Sequence, residues 1–99
     1  MILSELDIPT PVATQFCDVI MRCIRIQFLY GEKVVFLSPH VLYVRDGRTY
    51  VGGMMLLSPG EAWHNFEVTQ ISQLKIEQRM FKPSELQELA SVDTVLCSV

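Results

Sequence analysis

The sequence feature that most restricts the fold is the dipeptide Asp46-Gly47, which lies between two stretches of strand-forming residues. A two-residue loop of this composition tolerates the positive φ angles of a type I′ turn, so it predicts a β-hairpin. The register that this turn imposes gives the hairpin two different faces. One face carries Tyr43, Arg45, Arg48 and Tyr50. The other carries Leu42, Val44, Thr49 and Val51.

The hydrophobic period predicts one helix followed by strands. Thr10-Pro11 is typical of a helix start, and apolar residues then recur at helical spacing as far as Cys23. Alternation of apolar and polar residues replaces that period from Ile24 onward, which predicts strands. The predicted strands cover residues 24–30, 33–37, the two arms of the hairpin, 63–69 and 74–78.

Four further segments carry local signals. Ser38-Pro39-His40 is expected to end the second strand, since proline cannot donate to a ladder. Gly52-Gly53 predicts a bulge, a sharp bend or a close backbone approach. The spacing of Ser84 and Gln87 is that of a capping box, which predicts a short helix to about Ala90. The apolar tail, residues 92–99, is a candidate final strand that pairs either within the chain or with a second copy.

These elements predict a mainly β fold in a single domain spanning residues 1–99. Short, closely spaced strands favour a small SH3-like or Sm-like curled barrel of about five strands. An N-terminal helix and a short C-terminal helix complete the predicted fold.

Composition excludes some classes of function. The formal net charge of −3 argues against a general electrostatic binder of nucleic acid, which needs a basic face. The apolar stretches are far too short to cross a membrane, and the first residues do not have the pattern of a signal peptide. The three cysteines Cys17, Cys23 and Cys97 form no metal or redox motif and predict reduced core thiols in a cytoplasmic protein.

The order of parts resembles the WYL domain, a bacterial module with an Sm-like barrel. The family pattern is a helix, an "I-x-Y" strand, a "P-x-x-L" segment, a "D-G-x-W-Y-L-x-G" hairpin and an "R-x-F-R-L-x-R-I" strand. The corresponding segments here begin at Ile26, Pro39, Asp46 and His64, and the resemblance spans about residues 12–83. It implies a ligand-sensing module of transcriptional regulators.

The family motif is only partly kept. The W-Y-L tripeptide is Thr49-Tyr50-Val51, so the tyrosine alone survives. The resemblance implies arginines that contact a nucleic-acid or phosphate-like ligand, and the corresponding positions here are His64, Glu67 and Gln70. Replacing arginine by glutamate removes a bidentate phosphate donor and adds repulsion.

The candidate ligand site consists of Tyr43, Arg45, Arg48, Tyr50 and His64. Such a face can stack a base between aromatic rings and hold a phosphate. The alternative is that the tyrosines pack against a neighbour while the arginines are solvated at the hairpin tip. No motif for a cofactor, a metal or catalysis is present, and the two histidines lack a second ligand at motif spacing.

Two hypotheses for function follow. The first is a non-enzymatic regulatory module that binds a nucleotide or single-stranded nucleic acid at the barrel face. The second is a stand-alone assembly or scaffold subunit with a degenerate ligand site. Its partner would be a second copy of the chain or another protein, as the mean hydropathy of +0.29 suggests some covered apolar surface.

Overall fold

A computed structural model describes residues 10–57, 59–84 and 92–99. These residues form one α-helix, six antiparallel strands and a short 3₁₀ turn, Val68–Gln70. The elements in chain order are α1 (Thr10–Met21), β1 (Ile24–Tyr30), β2 (Lys33–Arg45), β3 (Arg48–Leu56), β4 (Glu61–Glu67), β5 (Ile71–Met80) and β6 (Thr94–Ser98). The prediction of a mainly β fold with an N-terminal helix is therefore confirmed, with six strands rather than about five. The predicted C-terminal helix falls largely on residues 85–91, outside the described residues.

Helix α1 buries one apolar stripe against the sheet. Phe16, Val19 and Ile20 are fully buried, and an ion pair of 3.3 Å joins the exposed side chains of Asp18 and Arg22. Cys23, two residues after the last residue of the helix, has a positive φ of 56°, and its N–H donates to the carbonyl of Ile20. No helix among the described residues has the length and apolar character needed to span a bilayer.

The hairpin predicted at Asp46-Gly47 is present in the predicted register. Tyr43 pairs with Tyr50 and Arg45 with Arg48, while both turn residues have positive φ. The full strand order is β4-β3-β2-β1-β5, and β6 adds to the edge of β2. The tail thus pairs with β2 of its own chain.

The expected break at Ser38-Pro39-His40 is wrong, because β2 runs through it for 13 residues. A β-bulge lies between Pro39 and Val41, opposite Gly53 and Gly52 of β3, and bulges are where a strand tolerates proline. On its other edge, β2 pairs with β1 up to Leu37 and with β6 from Val41 onward. Pro39 therefore occupies the gap between two partner strands.

Gly53 allows β2 and β3 to approach closely at this bulge. A Cβ atom there would lie 2.9 Å from the Cα of Pro39 and would also collide with the Ser38 carbonyl. Since both obstacles are backbone atoms, no rotamer change can relieve them. The close approach predicted for the glycine pair is confirmed.

The sheet is strongly curled. Strands β1 and β4 are three positions apart, about 14 Å in a flat sheet. Nevertheless the Tyr30 hydroxyl accepts a hydrogen bond of 3.2 Å from the backbone N–H of Glu67, and the Tyr30 and Phe66 rings lie 4.9 Å apart. The pairings of the described residues leave β4 and β5 as separate edges. Helix α1 packs on the main core, which includes Ile26, Phe28, Leu37, Leu42, Val51 and Phe66.

Cys17 and Cys97 form a disulfide, which corrects the prediction of three reduced thiols. Cys17 lies on α1 and Cys97 on β6, 80 residues apart in the sequence, so the bond fastens the tail to the helix. Sequence spacing gave no signal for this pairing because only the fold brings the two elements together. Cys23 remains a free thiol. The cytoplasmic location, which rested on reduced thiols, stays a prediction without that support.

Replacing Cys97 by serine is expected to lower the free energy of unfolding by about 2–4 kcal/mol, because the crosslink restricts the unfolded chain over a long loop. Urea denaturation without reductant measures the change. Cys23→Ser is the matched control, since its thiol is free, and it should cost less than about 1 kcal/mol. Thiol titration of the unfolded, unreduced chain should find one free thiol; three would contradict the disulfide.

Candidate functional site

The hairpin face predicted as a ligand site is a layered stack at the hairpin turn, where β2 ends and β3 begins. The rings of Tyr43 and Tyr50, paired across the two strands, lie 5.5 Å apart and within 17° of parallel. The guanidinium carbon of Arg45 lies 5.0 Å from the centroid of the Tyr50 ring. The two rings and this cation therefore form a continuous aromatic and cationic ladder toward the turn.

The two tyrosines of the ladder differ in accessibility. Tyr43 is only 1% exposed and belongs to a second apolar cluster with Val41, Met54 and Trp63. Tyr50 and Arg45 are half-buried. The ring of Tyr43 is thus covered, and an incoming group can reach only the outer part of the ladder.

The outer end of the ladder carries a positive charge, because an arginine guanidinium stays protonated in proteins. A hydrogen bond to Tyr50 raises the pKa of Arg45 further above its ordinary value. Burial raises the pKa of Tyr43, an effect that the positive charge of Arg45 partly offsets and that Tyr50 reinforces. Arg45 is therefore a permanent cation at the exposed end of the ladder.

Arg48 has a different environment, because Glu67 on the neighbouring strand faces it. An Arg48 nitrogen lies 3.5 Å from Glu67 Oε1, and the Glu67 carboxylate also accepts hydrogen bonds from Thr69 and Gln70. Arg48 is well exposed, so this ion pair adds little to stability. Glu67 nevertheless neutralises the charge of Arg48, which the sequence predicted as a second phosphate contact.

His64 lies apart from the four hairpin residues. His64 lies in β4, where it pairs with Gly53 of β3. Its ring is on the concave face of the sheet and stacks near Phe66, with centroids 6.1 Å apart. Together with Tyr30 and Lys33, His64 lines a groove on this face of the sheet. The structure therefore brings together Tyr43, Arg45, Arg48 and Tyr50 and separates His64 from them.

His40 has a packing role at the bulge. It is fully buried, with its ring stacked on Phe81 at 5.0 Å and edge-on to Trp63. Its Nδ1 lies 2.7 Å from the Ser38 carbonyl, and its Nε2 accepts a 2.9 Å hydrogen bond from the backbone N–H of Ser84. This pattern identifies the neutral ring protonated on Nδ1, which fastens residues 81–84 to the sheet.

The sequence did not single out Lys33 as a functional residue. The two-residue turn Gly31-Glu32 sets Lys33 opposite Tyr30, so hairpin register alone would have paired them. What sequence could not show is that the curl brings Phe66 and His64 of β4 to the same place. That proximity depends on the whole sheet.

Comparison with known proteins supplies no identity for this chain. No family model, curated protein or solved structure matches it. The resemblance to the WYL domain consequently depends on the motif residues alone, and the function has to be inferred from the side chains and their contacts.

Replacing Tyr43 by phenylalanine is expected to reduce the loss of stability at alkaline pH. The pKa of Tyr43 is raised in the folded state, so the unfolded chain releases this proton first as the pH rises above about 10. Its stabilising contribution is complete below that pH and disappears as the pH passes the folded-state pKa. Urea denaturation from about pH 8 to about pH 11 should give a flatter profile for Tyr43→Phe; identical slopes would contradict this.

Proposed function

We propose that this chain is a non-enzymatic binding module of the WYL type, in which Arg45 and Tyr50 hold a nucleotide or a short single-stranded nucleic acid. The observation that carries this proposal is the guanidinium of Arg45 held against the Tyr50 ring at the accessible end of the ladder. Bases stack on aromatic rings and on arginine planes, and the same guanidinium donates to phosphate. Binding in a regulatory module would then be transmitted to a partner or a second copy.

The finer fold assignment belongs to the same proposal. We infer an Sm-like arrangement from the order helix, then strands β1 to β5, with a 3₁₀ turn joining β4 to β5. The strong curl and the hairpin that retains Tyr50 both support it. Closure of the sheet into a barrel is part of this proposal.

The charge distribution limits the size of the ligand. The whole chain carries a net charge of −3, and Glu67 neutralises Arg48 beside the ladder. Such a surface does not attract long polyanions, which require an extended basic face. The geometry therefore favours one or two nucleotides at Arg45 over a continuous track along the sheet.

Substituting Arg45 by alanine is expected to weaken binding of a short fluorescent oligothymidine about tenfold, since it removes one stacking platform and one phosphate donor. Fluorescence anisotropy at low ionic strength measures this effect. Arg22→Ala is the matched control, because Arg22 is also an exposed arginine but follows the last residue of α1 instead of lying at the hairpin. Glu67→Gln should strengthen binding by freeing Arg48. Equal affinities for Arg45→Ala and the wild type would overturn the proposal.

A second candidate function, a scaffold subunit, is favoured by the outer face of the sheet. Val34 is 53% exposed and Phe36 is 38% exposed, and both point away from the main core. Phe36 lines a shallow depression of about 450 Å³ together with Leu56, the two arginines Arg25 and Arg79, and the polar side chains of Glu77 and Gln78. Arginine beside exposed aromatic and aliphatic groups is typical of protein–protein contact surfaces.

If this outer face mediates self-association, Phe36→Glu should convert an oligomer into a monomer because it introduces a charge into the contact. Sedimentation velocity over a range of concentrations measures the assembly state. Glu32→Gln, at the exposed turn nearby, is the control that should leave assembly unchanged. A monomeric wild type at every concentration would exclude the self-associating form of this candidate.

A further inference from the structure

Helix α1 fills only one end of the concave face of the sheet. It contacts β1, β2 and β6, and its buried residues Phe16, Val19 and Ile20 complete the main core there. The other end, beside the β1–β2 turn, holds a groove of about 230 Å³. The mouth of a curled sheet is a common place for a ligand, because side chains there converge without filling the space.

The floor of this groove is apolar. It is formed by Tyr30, Val35, Met55 and Phe66. Val35 and Phe66 are buried core residues, while Tyr30 and Met55 are half-buried and pack against that core. The groove is therefore an opening onto the main core, and its apolar side chains are partly exposed to solvent. A flat apolar ligand bound there would remove them from water, which is favourable.

The rim of the groove provides hydrogen-bond donors. Lys33 and His64 are both exposed there, and no carboxylate of the described residues forms an ion pair with Lys33. Tyr30 uses its oxygen to accept from the N–H of Glu67, so its O–H proton remains available to donate. Lys33, His64 and the Tyr30 hydroxyl can thus all donate hydrogen bonds, and Lys33 adds a positive charge.

We propose that this groove binds a small aromatic carboxylate, with the ring on the apolar floor and the carboxylate at Lys33, His64 and Tyr30. The volume equals that of seven or eight water molecules at about 30 Å³ each, which suits a single ring with a short side chain. The single positive charge of Lys33 balances the single negative charge of a carboxylate. A phosphate dianion would require more charge and more donors than the rim supplies.

This site is independent of the proposed nucleotide site. Arg45 and Tyr50 project from the opposite face of the sheet, where Tyr43 packs with Trp63 rather than with the helix core. A variant at the hairpin tip should therefore leave binding in the groove unchanged. Conversely, a change at Lys33 should leave oligonucleotide binding unchanged, so each proposal can fail alone.

The test is titration of the full chain, labelled with ¹³C at the methionine methyl groups, with phenylacetate. The Met55 methyl resonance should shift and saturate, while Met54, which points to the opposite cluster, should not move. Phenethylamine, which has the same ring and the opposite charge, should not produce the shift. Lys33→Gln should weaken phenylacetate binding about fivefold, and the charge reversal Lys33→Glu should abolish it.

Lys75→Gln is the matched control, since Lys75 is an exposed lysine on β5 that does not line the groove. It should bind phenylacetate as the wild type does. Lys33 is exposed next to a turn, so both of its variants should fold. A Met55 resonance that does not shift, equal binding of phenethylamine, or equal weakening by Lys75→Gln would each overturn the proposal.

Discussion

The β-bulge at His40 is the constraint on which the rest of the structure depends. By adding one residue to β2 opposite Gly52 and Gly53, it lets the strand continue past Pro39 and change partner from β1 to β6. It also turns His40 into the interior, where its two ring nitrogens connect the Ser38 carbonyl to the backbone of Ser84. One local irregularity thus organises both halves of the sheet and fastens the C-terminal segment across it.

Three interactions hold the tail, residues 92–99, against the rest of the fold. Strand β6 completes the free edge of β2, and Asp93 accepts a hydrogen bond from the backbone N–H of Asp46 at the hairpin turn. The disulfide between Cys17 and Cys97 then joins β6 to the helix. Because the crosslink closes an 80-residue loop, it restricts the unfolded chain over most of its length. Covering the β2 edge in this way also removes a site for unwanted strand pairing.

Curling gives the sheet two faces with different chemistry. The face with Tyr43 and Tyr50 ends in the cation of Arg45, and Glu67 limits its positive charge by pairing with Arg48. The concave face is occupied by the helix at one end and is open at the other, beside Lys33. Glu67 contributes its side chain to one face and its backbone N–H to the Tyr30 hydroxyl on the other. The two proposed sites are therefore close together, but each opens to solvent on a different face of the sheet.

Local sequence signals determined the helix, the alternating strands and the register of the Asp46-Gly47 hairpin, because each depends on residues close together in the chain. They therefore placed Tyr43, Arg45, Arg48 and Tyr50 on one face, as observed. The same local rules wrongly ended β2 after Leu37, since the bulge that accommodates Pro39 depends on the close approach that Gly53 of another strand allows. The pairing of Cys17 with Cys97 and the separation of His64 from the hairpin face were decided only by tertiary structure. Both depend on how strongly the sheet curls and on where the tail lies, and these are set by packing between residues far apart in sequence.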